Sequence, residues 1–124
     1  MSTQENKDTS QESAKQSAVR MVEWLREKQA RDILALDVRG INSCSEALII
    51  ASAVNVRHAQ TLADWTLEKL SGSGMEVLGV EGYHPGYWIL LDLNEVILHI
   101  FQLEYREFYN LDGLWRDAPR ISTE

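Results

Sequence analysis

Residues 88–101 read WILLDLNEVILHIF, and this stretch decides the fold. Two alternating apolar runs, Trp88–Leu93 and Val96–Phe101, flank Asn94-Glu95. Asn tolerates positive φ, so a two-residue turn is feasible and the stretch is a β-hairpin. In that register Leu93 faces Val96, Leu91 faces Leu98 and Ile89 faces Ile100, so one face is entirely aliphatic and belongs to the core. The other face carries Trp88, Leu90, Asp92, Ile97, His99 and Phe101. A slip of one residue would mix the two sets, so the alternation itself supports the register. The mixed face is too apolar for idle exposure and too polar for a dry core. It either lies open to a partner or is covered by the chain that follows.

Working outward, the chain alternates helical and extended patterns. Ala14, Ala18, Met21, Val22 and Leu25 recur at helical spacing, predicting a first helix over about Ser13–Gln29. Asp32–Val38 reads as a strand with Leu34, Leu36 and Val38 on one face and Ile33, Ala35 and Asp37 on the other. A turn at Arg39–Ser43 leads to a second strand, Glu46–Ser52, apolar on both faces and hence central. Asn55 is an N-cap for a second helix ending at Leu70, with Ala59, Leu62, Ala63, Thr66 and Leu67 on its inner face. Met75–Val80 is expected as a third strand, and EGYHPG (81–86) as a loop. After the hairpin, Leu103–Tyr109 reads as a short helix and Leu111–Trp115 as a turn or second short helix. The predicted class is α+β, a mixed five-stranded sheet with two main helices and a short C-terminal helical segment. Residues 1–12 hold no apolar residue after Met1 and are expected to be a disordered tail. Residues 13–121 form one domain, and 122–124 a second short tail.

Bulk properties narrow the function. The chain has 124 residues, a formal charge of −7 and 44% hydrophobic residues, which suits one soluble domain. No apolar run approaches the ~20 residues of a membrane span, and the N-terminus has no signal-peptide pattern. A single cysteine excludes an internal disulfide and fits the reducing cytoplasm. Lysine is absent after Lys69, so little direct nucleic-acid contact is expected. Eight of the ten aromatic residues lie between Tyr83 and Trp115. Seven acids against two bases between Glu81 and Asp117 place most of the negative charge in the same region. Aromatic anchors among acids suit docking on a basic protein.

Chemical signatures are weak by comparison. His58, His84 and His99 are scattered and form no HxH or HExxH pair, so no metal is expected. Cys44 has no catalytic pattern around it and reads as a buried or half-buried thiol. Ser52-Ala53-Val54-Asn55 opens a helix after a strand but offers no glycine or lysine to a phosphate. Asp32 and Asp37 are five apart and point to opposite faces, so they form no magnesium clamp. No cofactor and no catalytic residue are assigned. For the aromatics, Trp88, Tyr109 and Trp115 combine apolar bodies with polar tips that suit interface anchors, while Phe108 is expected in the core.

Several pieces together resemble the Iojap-related ribosomal silencing factors. They are Asp32–Val38, Ile49-Ile50-Ala51-Ser52, Arg57-His58, Ala63-Asp64, Gly79-Val80-Glu81-Gly82, Trp88–Leu93, Val96–Phe101, Arg106-Glu107-Phe108-Tyr109 and Leu111 with Leu114-Trp115. The resemblance covers roughly Ala14–Ile121. It departs from the family pattern at Ser45-Glu46-Ala47, at Ala53-Val54-Asn55 and at the hairpin turn Asp92-Leu93-Asn94-Glu95. It implies a nucleotidyltransferase-like fold without catalysis. It further implies binding to the large ribosomal subunit through protein L-fourteen, which blocks joining of the small subunit and represses translation. The residues it brings to partner binding are Trp88, His99, Arg106, Tyr109, Leu114 and Trp115. Glu104 is added as an acid beside these anchors. Two other readings stand beside it: a nucleotidyltransferase-like nucleotide-binding protein or enzyme, and a homodimer whose second copy covers the mixed sheet face.

Overall fold

The structure, a computed structural model, describes residues 3–41 and 44–123. The elements in chain order are α1 (Thr3–Glu27), β1 (Arg31–Asp37), β2 (Ala47–Ala53), α2 (Val56–Leu70), β3 (Gly79–Glu81), β4 (Trp88–Asp92), β5 (Val96–Gln102), α3 (Leu103–Tyr109) and α4 (Leu111–Leu114). The strands form one sheet in the order β1-β2-β5-β4-β3. Only the β2–β5 pairing is parallel; the other three are antiparallel. The expected mixed five-stranded α+β architecture is therefore present. Among the described residues no helix is long and apolar enough to cross a membrane.

The hairpin has the expected register, with Ile89 opposite Ile100 and Leu91 opposite Leu98, and Leu93 N–H donates to the Val96 carbonyl at 3.0 Å. Asn94 takes the turn at φ 74°, and its N–H is bound by the Asp92 carboxylate at 2.9 Å. All six aliphatic residues of the first face join the core formed with Met21, Val22 and Leu25 of α1 and Ala59, Leu62 and Leu70 of α2. Asn55 caps α2, accepting from the His58 N–H at 2.8 Å. Every residue of β2 is buried, as its two apolar faces require.

Three expectations need correcting. The third strand is only Gly79–Glu81, not Met75–Val80. Leu78 N–H already reaches the Asp92 carbonyl at 2.7 Å, and Asp92 is the last residue of β4. Residues before Leu78 therefore have no strand left to pair with. Cys44 is exposed rather than buried, because it precedes the first residue of β2 and stays outside the sheet. The first helix starts at Thr3, ahead of the expected Ser13; no Gly or Pro interrupts the segment, so local propensity carries the helix further. Side chains of residues 1–13, the turn residues Asn42 and Ser43, and Glu124 lie outside the described residues.

The second sheet face is covered, not open, over β1, β2 and β5. Leu36, Val38, Leu48, Ile50, Phe101 and Ala118 form a second core, with Tyr105, Leu111 and Trp115 packed on it. Arg106 fastens this C-terminal cover. Its guanidinium binds Asp112 in fork geometry at 3.0 and 2.8 Å, the Ser52 hydroxyl at 2.8 Å and the Asp32 carbonyl. That carbonyl is available because β1 breaks register between Arg31 and Leu34 and Asp32 adopts φ 49°, a local bulge that turns the chain out of the ladder. One side chain thus ties α3 to α4, β1 and β2. Arg106→Ala should lower the unfolding free energy by about 2 kcal/mol, since it leaves the buried Ser52 hydroxyl without its partner and frees the partly exposed Asp112. Arg106→Lys should recover only part of this, lacking the fork. Urea unfolding of both variants checks the clamp; midpoints equal to the parent's would show that it carries no load.

Candidate docking surface

The aromatic residues form a stepped stack from the core to solvent. Phe101 is fully buried. Trp88 stacks on it with ring centroids 4.8 Å apart and planes 28° apart. Tyr109 lies on Trp88 at 4.9 Å, and Phe108 meets Tyr109 edge-on at 5.1 Å. Exposure rises along the stack, with Trp88 half-buried, Tyr109 at 48% and Phe108 at 78%. On the neighbouring α4, Leu114 is 72% exposed. Glu104 and Glu107 are exposed on α3. The two helices abut at Asn110, which has φ 51°, ends α3 and caps α4 by accepting from the Gly113 N–H. The result is a firm apolar surface among acids.

Gly82 fixes the approach to Trp88. It has φ 77°, and a Cβ there would lie 2.1 Å from the Trp88 carbonyl oxygen. Only glycine allows the loop to pass this close to the strand. Tyr87, from the same loop, stacks on Tyr105 at 4.8 Å.

Of the seven residues expected to bind a partner, Glu104, Tyr109 and Leu114 are presented to solvent and Trp88 is half-exposed beneath Tyr109. The other three have different placements. His99 is 7% exposed, because β5 is central and the Trp88 indole covers it. Arg106 is engaged on all sides by Asp112, Ser52 and Asp32, with a side chain 13% exposed. Trp115 is half-buried against the second core, where it supports the cover. Phe108, expected in the core, is the most exposed of the exposed large hydrophobics. The signal was present in the helical period: on a helix that turns Tyr105 and Arg106 inward, Phe108 shares the outer face with Glu104, four residues earlier.

The Trp88 indole N–H donates to His99 Nδ1 at 3.0 Å. Burial lowers the His99 pKa to about 4. The geometry agrees, since a proton on Nδ1 would face the indole donor. Elsewhere, Asp112 is held below its ordinary carboxylate range by its hydrogen bonds from Arg106, and Asp37 likewise by Arg39. Asp37 and Asp32 make no acid pair: Asp37 is bound by Arg39 at 2.7 Å, while Asp32 sits at the bulge.

A histidine depressed in the folded state lets the unfolded chain bind the extra proton between pH 6.5 and about 4, so stability falls with pH in that window. The loss by pH 4.5 should be roughly 2–3 kcal/mol. Urea unfolding at pH 7 and pH 4.5 checks it. His99→Gln should show that much less acid destabilisation than the parent, and equal pH dependence would exclude the assignment.

The family model described as "Ribosomal silencing factor during starvation" matches residues 11–124. The ribosomal silencing factor of Bacillus subtilis is 36% identical over 93 residues, covering 75% of this chain and 79% of that protein. That of Haemophilus influenzae is 35% identical over 99 residues, covering 77% and 97%. More distant similarity extends to a mouse protein named for mitochondrial assembly of the ribosomal large subunit, 26% identical and 43% covered, and to chloroplastic Iojap of maize, 27% identical and 45% covered. A crystal structure of a Chromobacterium violaceum protein superimposes with a TM-score of 0.75 at 29% identity, covering 77% of this chain and 80% of that one. With a model matched over nearly its whole length and relatives above 30% identity, the chain belongs to the ribosomal silencing factor family.

Proposed function

We propose that the protein is a non-enzymatic cytoplasmic factor that binds the large ribosomal subunit, and that its docking surface is the outer face of α3 and α4. The observation that carries this reading is the stepped stack Phe101–Trp88–Tyr109–Phe108, which ends in solvent among Glu104 and Glu107. A monomer seldom exposes such aromatics without a partner for them. Flanking acids favour a basic partner and oppose contact with RNA phosphates. Ribosomal protein L-fourteen, implied by the family resemblance, fits as that partner, and the bulk of the bound domain then blocks the approach of the small subunit. Trp88, Tyr109, Phe108, Leu114 and Glu104 make the contact. His99, Arg106 and Trp115 hold the contact residues in place.

Co-sedimentation with purified large subunits tests the reading. Tyr109→Ala combined with Phe108→Ala should weaken binding at least tenfold, about 1.4 kcal/mol or more, and so should Leu114→Arg. These side chains are exposed, so the unfolding midpoint should stay near the parent's. Glu104→Lys should weaken binding more at low salt than at high salt. Full co-sedimentation and undiminished inhibition of subunit joining by both aromatic and Leu114 variants would place the surface elsewhere.

A further inference from the structure

The second core and its C-terminal cover reach Trp88 but not Leu90. Beyond Trp88, this side of β4 and β3 stays at the surface. Trp88, Leu90 and Asp92 alternate along β4 and are each half-buried. Glu81 of β3 pairs opposite Leu90 and is exposed. Alternation and register put these four side chains on one side of the sheet. Glu81, Gly82, Trp88 and Leu90 line a recess of about 280 Å³. That is below the roughly 300–1,000 Å³ of small-molecule sites and suits a single side chain. Trp88 and Leu90 offer it apolar carbon, Gly82 only backbone, and Glu81 the one charge.

That charge has no internal counterpart. Between Lys69 and Arg106 the sequence holds no lysine or arginine, so neither strand of the recess nor the loop before β4 brings a cation. Among the described residues Glu81 and Asp92 form no ion pair. His99, opposite Leu90 on β5, is buried and accepts the Trp88 indole N–H at Nδ1, so its ring is neutral there. The recess is also continuous with the proposed docking surface through Trp88, which lies against Tyr109 at 4.9 Å. A cationic side chain from outside would meet apolar cover for its stem and a carboxylate for its head.

We infer that this recess receives one arginine of the protein partner, its methylene stem against Trp88 and Leu90 and its guanidinium on Glu81. The inference rests on the proposed docking of α3 and α4 and extends that surface across β4 to β3. Arginine suits it better than lysine, since a guanidinium is more weakly hydrated than an ammonium and forks onto a carboxylate. Phosphates would be repelled by Glu81 and Asp92.

The first test is co-sedimentation with large subunits, beside the Tyr109→Ala and Phe108→Ala double variant. Glu81→Arg should weaken binding about tenfold or more, and Glu81→Gln by less, with a shallower salt dependence. Glu81 is exposed, so the fold should survive both changes. Glu76→Arg makes the same change in net charge as Glu81→Arg. Glu76 precedes β3 and does not line the recess, so this variant should bind like the parent. The second test needs no ribosome: NMR titration of the isolated chain with N-acetylated argininamide and lysinamide. The Trp88 indole and Leu90 amide signals should shift saturably with argininamide, more weakly with lysinamide, and with neither in Glu81→Arg. Full co-sedimentation of Glu81→Arg while the aromatic double variant is impaired would overturn the arginine recess and leave the docking surface standing. Full co-sedimentation of both would remove both readings. An equal loss in Glu76→Arg, equal shifts from lysinamide, or no saturable shift with argininamide at tens of millimolar would also overturn the inference.

Discussion

The structure depends on burying both faces of one parallel strand pair. β2 and β5 lie side by side at the centre of the sheet, and their alternate residues divide between two cores. A parallel pair of this kind needs cover above and below. α1 and α2 cover one side. For the other there is only the chain after β5, and it is short: two helices of seven and four residues and a brief return along β1. Helices this short are marginal without tertiary support. Arg106 supplies that support by joining α3 to α4 and both to the sheet.

The elements and their order were readable because the hydrophobic period changes sharply along the chain. Period two in residues 88–101 identified the six inward residues of the hairpin, and period 3.6 after Asn55 identified the inner face of α2. Where the reading stopped short, the missing information was tertiary. Whether the mixed sheet face was open or covered could not be decided from β4 and β5, since the answer lies in how Tyr105, Leu111 and Trp115 pack from a later segment. His99 and Arg106 looked available for binding because a lone imidazole and a lone guanidinium carry no sequence mark of their partners, Trp88 at 3.0 Å and Asp112 at 2.8 Å. Phe108 was misjudged for the converse reason: residue type suggests core, and only its angular position on α3 places it outside. The family resemblance singled out residues of the C-terminal half and left open which side of each residue faces out.

The two halves of the charge distribution follow the same layout. Acids gather around the exposed aromatics of α3 and α4, whereas α1 carries Lys15, Arg20 and Arg26, with Lys15 beside Asp37 of β1. A net charge of −7 therefore describes neither surface. Long-range attraction of a basic partner would orient the molecule before contact, with its acidic end leading.

β5 ends at Gln102 and α3 begins at Leu103, with no loop between them. The exposed helix is a direct continuation of the central strand, and Arg106 at its middle is tied to β1 and β2. Such a joint has no hinge. A partner landing on α3 meets a surface whose ordering cost was met when the sheet formed, so little conformational entropy remains to be lost at contact. The same rigidity means that the surface would not adjust to a poorly fitting partner, so selectivity would reside in shape fixed at the centre of the sheet.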